Sequence, residues 1–199
     1  MPTPDPNRRN QILTHAEAIL RSGGLAALTT NALAKAARCS KETLYDLFAD
    51  RDALIAAVID RQAEALNAAL TEGLSGGDPA AQLVRVGERL LDLLTSDTGL
   101  AINRAALGDP SGRWSALLLA HGRNRSAPLI LDLLARWRAA GGIGFSDVRP
   151  VYQAFYGLLI GDRQIAALHR APEARPSQAE RRDAAEWAVA GLARLFPAP

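Results

Sequence analysis

A chain of 199 residues, 48% of them apolar, is long enough to bury a real core, which excludes global disorder. Its 23 basic and 21 acidic side chains leave a net charge of +2, too little to imply nucleic-acid binding from charge alone. A single cysteine, Cys39, excludes an intrachain disulfide framework, no apolar run approaches the ~20 residues that span a bilayer, and the opening MPTPDPNRRN has no apolar secretory core, so a cytoplasmic protein without membrane contact is expected.

Apolar residues recur at helical spacing, as at Ile12, Ala16, Ile19 and Leu20, and no segment alternates as a strand would. The expected fold is all-α, with about nine to ten helices. A first helix runs from about Asn7 to Ser22 and stops at Gly23-Gly24. A second, short helix takes Thr29 or Thr30 as its cap and ends near Ala37. Ser40 caps a third that ends near Phe48. A fourth, longer helix starts after Asp50 and ends near Glu72, with Leu54, Ala57, Val58, Ala65 and Leu66 on a common side.

Ser75-Gly76-Gly77-Asp78-Pro79 is the clearest punctuation, with Asp78 as cap and Pro79 at the first helical position. The helix it opens carries Leu83, Val86, Leu90, Leu91 and Leu94. Asp109-Pro110 repeats that start signal. Gly122 and Pro128 predict a break between a segment around Trp114–His121 and a helix over Leu129–Ala140, closed by Gly141-Gly142. Ser146 opens a further helix through Leu168. Ser177-Gln178-Ala179-Glu180 fits a capping box before a last helix to Phe196.

Two short helices joined by a turn of about three residues make a helix-turn-helix. Leu33, Ala34 and Ala37 of its first helix face inward, and Leu44 with either Leu47 or Phe48 anchors the second. That leaves Lys41, Glu42, Thr43 and Tyr45 near the exposed N-terminal end of the third helix. A major groove admits such a helix, and side chains at its N-terminal end reach base edges. Residues 1–60 carry seven basic and seven acidic side chains, so binding would depend on where the charges sit.

The pattern Leu28-Thr29-Thr30, Leu33-Ala34, Ser40, Thr43-Leu44-Tyr45 and Phe48, with Arg51 ahead of Leu54, closely resembles the DNA-binding domain of the tetracycline-repressor (TetR) family of bacterial regulators. The match covers about residues 8–60. The resemblance implies a helix-turn-helix DNA-binding domain over 1–50, a connecting fourth helix over 51–74, and a ligand-binding and dimerisation domain over 75–199. It implies a transcriptional regulator, a repressor released from its operator by a small molecule. Carried over by position, Thr30 would donate to a phosphate while capping its helix. Asn31, Lys41, Glu42 and Thr43 would lie nearest the bases. Tyr45 would reach the backbone or a base edge, and Arg51 would clamp another phosphate.

Two positions depart from the family pattern. Arg38 stands in the turn where a glycine or other small residue is usual; at positive φ it would cost roughly 1 kcal/mol. Leu47 stands where many members place a polar residue near the DNA backbone. Competing readings attach to several of these side chains. Tyr45 and Phe48 can each be core aromatics, Glu42 either accepts from a cytosine amino group or is a solvated charge, and Cys39 reads as a small buried hydrophobe.

Beyond residue 75 the resemblance implies a helical bundle that senses a ligand and dimerises. Trp114, Leu118, His121, Tyr152, Phe155 and Tyr156 are the candidate pocket lining, with Arg104 or Asn103 as a polar anchor; ordinary core is the alternative for each. Dimerisation would use the last two helices, through Gly157 and Gly161 and a small-residue stripe of Ala188, Gly191 and Leu195. His15, His121 and His169 are scattered without metal-ligand spacing, and no phosphate-binding loop or nucleophile–base pair stands out. No catalytic residue, metal or cofactor is therefore expected. The expected partners are double-stranded operator DNA, an unknown small-molecule effector and a second copy of the chain. A helical protein–protein adaptor and a helical enzyme of unknown reaction are the alternatives.

Overall fold

The computed structural model describes residues 6–71, 77–170 and 175–199, and in secondary structure these are helices and their connections. They fall into two compact units, residues 1–62 with 97–122 and residues 63–96 with 123–199. The grouping differs from the expected division at residue 75, because α6 (Asp97–Leu107) and α7 (Arg113–Leu118) pack with the N-terminal helices.

In the first unit, α1 (Pro6–Ala27) is broken at Gly24, whose φ of 65° and ψ of −169° are accessible only to glycine at low cost. Helix α2 (Thr30–Ala37) is capped by Thr29, whose hydroxyl accepts from the Ala32 N–H at 3.1 Å. Of the two threonines, Thr29 is therefore the cap, and Thr30 is already helical; its expected capping role is corrected. Arg38 ends α2 in the left-handed conformation, at φ 49°. Ser40 then caps α3 (Lys41–Leu47) through the Thr43 N–H at 3.0 Å. Asp50 accepts from the Ala53 N–H at the start of α4 (Arg51–Thr71).

One core holds these elements together: Ile12, Leu13, Ala16 and Leu20 of α1 meet Leu33, Leu44, Phe48, Leu54 and Val58, with Ile102 of α6. Leu44 pairs with Phe48, four residues on, while Leu47 is only half-buried. On α4, Leu54, Ala57 and Val58 are buried as expected, but Ala65 is exposed, and the side chain of Leu66 lies outside those described. Glu72, Ser75 and Gly76, where the end of this helix and the following turn were expected, also lie outside the described residues. Arg61 fastens α4 to α1, donating to Glu17 Oε2 and the Thr14 hydroxyl at 3.0 Å and to the Asn10 carbonyl at 2.7 Å.

One start signal and one break act differently from expectation. Asp109 does not cap a helix beside Pro110. Its carboxylate folds back onto Ser111 and accepts from the Trp114 N–H at 3.2 Å, so α7 begins only at Arg113. These hydrogen bonds, the Ser111 hydroxyl first, hold the Asp109 carboxyl below the usual carboxylate range. The break expected between Gly122 and Pro128 is a π-helical turn over Leu119–Arg123, and Pro128 lies inside α8 (Asn124–Ala139). There proline removes only a bond to the first carbonyl of the helix.

In the second unit, Asp78 and Pro79 open α5 (Pro79–Thr95) as expected. Asp147, not Ser146, caps α9 (Val148–Ile160), which stops at Gly161; α10 (Arg163–Leu168) follows. The Ser177–Glu180 capping box is fully formed at the head of α11 (Gln178–Leu195). Helices α5, α8, α9 and α11 share a core that includes Leu83, Leu91, Leu133, Phe155, Leu159 and Ala185. Gly87 of α5 allows the close approach, since a Cβ there would lie 3.0 Å from the Ala185 methyl and 3.4 Å from the Phe155 ring. Part of the expected dimer stripe faces this interior. Ala188 is fully buried, and a Cβ on Gly191 would meet Leu158 of the same chain at 3.0 Å.

Candidate nucleic-acid interface

The third helix is anchored from beneath by Leu44 and Phe48, which frees its other side chains. Lys41 and Glu42 are exposed on its first turn, and Tyr45 is 58% exposed although its ring is large and apolar. Phe48, 5% exposed, is covered by the Arg9 guanidinium 5.3 Å from its centroid. The two aromatics thus take different roles. Thr43 is half-buried, with its hydroxyl 3.0 Å from that of Ser40, so one of its hydrogen bonds is used locally.

A groove of about 250 Å³ runs alongside and is lined in part by Thr30, Tyr45, Asp50 and Arg51. It brings together three of the side chains for which backbone contacts were expected. Asn31 is exposed on the first turn of α2. Arg51 is not free, however: its Nη2 donates to the Leu25 carbonyl, and its guanidinium lies 5.3 Å over the Trp114 ring.

Arg8 has a role that sequence reasoning missed. It spans 29 residues to donate to the Ala37 carbonyl at 3.0 Å, and also donates to the Arg38 carbonyl at 3.1 Å. Both carbonyls lie at the C-terminal end of α2, which lacks further helical donors. The left-handed turn at Arg38 therefore gains an external clamp. Only the basic pair Arg8-Arg9 hints at this in the sequence. Cys39 is half-buried against the core of the unit.

The expected pocket residues are divided. Arg104, Trp114, Leu118 and His121 belong to the first unit, and Tyr152, Phe155 and Tyr156 to the second. Trp114 donates through Nε1 to Asp52 at 3.0 Å, His121 Nδ1 lies 3.0 Å from Asp60, and Leu118 packs on the first core. Asn103 donates back to the Gly99 carbonyl of its own helix. Phe155 is fully buried, and Tyr152 and Tyr156 stack obliquely with centroids 6.3 Å apart. Burial and the neighbouring Tyr152 push the Tyr156 phenol up, with Arg123 opposing. Among the described residues no three His, Cys, Asp or Glu side chains are grouped to hold a metal ion. No described helix is long and apolar enough to cross a membrane.

Residues 12–58 match the family of bacterial regulatory proteins of the tetR type, and residues 81–196 match the AefR-like transcriptional repressor C-terminal domain. A TetR transcriptional regulator from Agrobacterium tumefaciens has 34% identity and a TM-score of 0.80, over 96% of this chain and 95% of that one. The chain belongs to the TetR family. A further TetR-family structure from Mesorhizobium loti has 20% identity and a TM-score of 0.78, covering 96% of each chain. The regulator FadR from Bacillus subtilis, in complex with stearoyl-CoA, has 13% identity and a TM-score of 0.72, over 92% of this chain and 96% of that one. No curated protein matches significantly. As a TetR-family member the chain is a DNA-binding transcriptional regulator with an N-terminal helix-turn-helix and a C-terminal helical domain. That assignment decides among regulator, adaptor and helical enzyme in favour of the first.

Proposed function

We propose that this regulator is a cytoplasmic homodimeric repressor that leaves a palindromic operator when a small molecule binds its C-terminal helices. The observation that carries the DNA-reading part is the exposed face of α3, with Lys41, Glu42 and Tyr45 outward above a buried Leu44–Phe48 anchor. Asn31, Lys41, Glu42 and Thr43 read the bases, Thr30 and Arg51 hold the backbone, and Tyr45 reaches the backbone or a base edge. Two such helices in successive major grooves require half-sites about 34–36 Å apart. In functional terms residues 1–50 read DNA, α4 connects, and effector and dimer functions lie after residue 75. The packing of α6 and α7 ties part of that later segment to the reader.

Lys41→Ala tests the reading role. If Lys41 pairs with a guanine, the variant loses about 1–3 kcal/mol at one or two operator positions and little elsewhere. Titration against a randomised operator library measures this. A uniform loss across all sequences would make Lys41 a backbone contact instead.

Release by an effector is supported by the match to the repressor C-terminal domain. Tyr152, Phe155 and Tyr156 are the candidate lining side chains of the second unit; Tyr152 and Phe155 are buried in its core, and Tyr156 is partly buried. The lever is α4, whose 21 residues extend about 32 Å and whose chain runs from the first unit into the second. A tilt of α4 carries α3 with it, because Phe48 and Leu54 share one core. An effector produces that tilt only by binding the tilted state better. Coupling of 1–3 kcal/mol would change operator affinity by roughly 5–150-fold, and linkage makes operator weaken the effector by the same factor. Calorimetry of a molecule found by thermal-shift screening, with and without saturating operator, checks the reciprocity. Equal affinities in the two titrations would show that the molecule does not release DNA by this route.

A further inference from the structure

Arg51 and Asp52, consecutive on the first turn of α4, hold a single indole by its face and its edge. The Arg51 guanidinium lies over the Trp114 ring, and Asp52 Oδ1 accepts from Trp114 Nε1 at 3.0 Å. The other Asp52 oxygen pairs with Arg113 Nε at 2.9 Å, and the Asp52 side chain is only 24% exposed. The backbone N–H of Trp114 is in turn held by Asp109. Tryptophan suits this place because it offers a flat electron-rich face to a cation and an N–H to a carboxylate. Phenylalanine would supply the first alone, and leucine neither.

The consequence falls on Arg51. A guanidinium has five N–H donors in a rigid plane, and one of them is used on the Leu25 carbonyl. With its plane fixed by that carbonyl and by the ring, the remaining donors are oriented in advance. Arg51 is exposed and lines the same groove as Thr30 and Tyr45. We propose that Trp114 and Asp52 are positioning residues that set the Arg51 guanidinium for a DNA phosphate, so that operator affinity depends on α7, outside the helix-turn-helix. The proposal rests on the reading of Arg51 as a phosphate contact, and the experiment separates the two.

The test is a double-mutant cycle of Arg51→Ala and Trp114→Leu. The probe is a duplex that the protein itself selects from a random library, titrated at several salt concentrations. Arg51→Ala lowers affinity and reduces the salt slope by about one unit. Trp114→Leu lowers affinity about two- to fivefold, the scale of an exposed cation–π contact, and has no further effect once Arg51 is alanine. Trp114→Phe, which keeps a ring face, retains most of the affinity. Asp52→Ala, which frees the indole edge but leaves its face against Arg51, loses a smaller part of the affinity, as Trp114→Phe does, and carries the same cycle if the leucine variant does not fold. An unchanged affinity and slope for Arg51→Ala would overturn the phosphate reading itself. A normal Arg51→Ala effect, with Trp114→Leu and Asp52→Ala either silent or equally damaging in both backgrounds, would overturn the positioning role alone.

Discussion

Replacing Trp187 by glutamate is expected to weaken operator binding by roughly 10²–10⁴-fold while leaving the DNA-reading surface intact. Trp187 is 59% exposed on α11, a large apolar side chain without cover on its own subunit. It borders a groove of about 710 Å³ that also takes in Gly157 and Leu158 of α9, Gly161 just after it, and Asp183 and Ala184 of α11. Glu180, Asp183, Ala184 and Trp187 recur at spacings of three, one and three, the pitch of one helix face. Nothing lies within 4 Å of where a Cβ on Gly157 would sit, so the backbone there is open to close approach from outside. A second copy would cover this face on both subunits at once, because a two-fold interface makes every contact twice. Glutamate at 187 replaces apolar burial with a charge that must be desolvated, beside the existing acids Glu180 and Asp183. A monomer then engages one half-site at a time and loses the gain from joining two readers. Sedimentation measures the oligomeric state, and operator titration measures the affinity. A variant that stays dimeric with unchanged affinity would place the dimer interface on a different face.

That face also shows what the sequence could and could not reveal. Gly157, Gly161, Ala188, Gly191 and Leu195 all look like contacts for a partner helix when read as a string of small and apolar residues. Packing divides them: Ala188 is buried within the chain and Gly191 serves the approach of α9 to α11, while Gly157 and Leu195 face outward. A small residue announces close approach without saying to what. Caps were legible where the side chain acts on its own next turn, as at Ser40, Asp78 and Ser177. They were misread at Asp109, whose carboxylate is engaged by the Ser111 hydroxyl and the Trp114 N–H, and at Ser146, where the neighbouring Asp147 carboxylate takes the Arg149 N–H.

The exposed end of α3 could be read directly, because either anchor beside Leu44, Leu47 or Phe48, leaves Lys41, Glu42 and Tyr45 outward, and packing selects Phe48. The supports around it could not. Arg8 reaches the turn after α2 across 29 positions, and Asp52 reaches Trp114 across 62, distances over which no local pattern operates. Four of the seven candidate pocket residues belong to the first unit and three to the second. Apolar and aromatic side chains suit a ligand and a core equally well, so chemistry alone does not choose between those roles.

Phe155→Ala separates those last two roles. Phe155 is fully buried in α9, and its ring lies 3.4 Å from where a Cβ on Gly87 would be, so α5 has given up a side chain to make room for it. Leu159, also fully buried, lies one turn further along α9 and faces the same glycine. A ring so enclosed loses both its transfer free energy and its packing contacts when it is cut back to a methyl group. Neighbouring backbone relaxes only in part, and a cavity remains. The expected loss is about 3–5 kcal/mol, the range for a buried phenylalanine. At this chain length each kcal/mol is worth roughly 2–4 °C in melting temperature, so the change is large by either measure. Urea denaturation gives it as a shift in midpoint at constant slope. A phenylalanine lining an open effector pocket would behave otherwise, because one side of its ring already meets solvent, and truncation would cost closer to the ~0.5 kcal/mol of a surface change. A loss of that smaller size would return Phe155 to the pocket and remove it from the core that joins α5, α9 and α11.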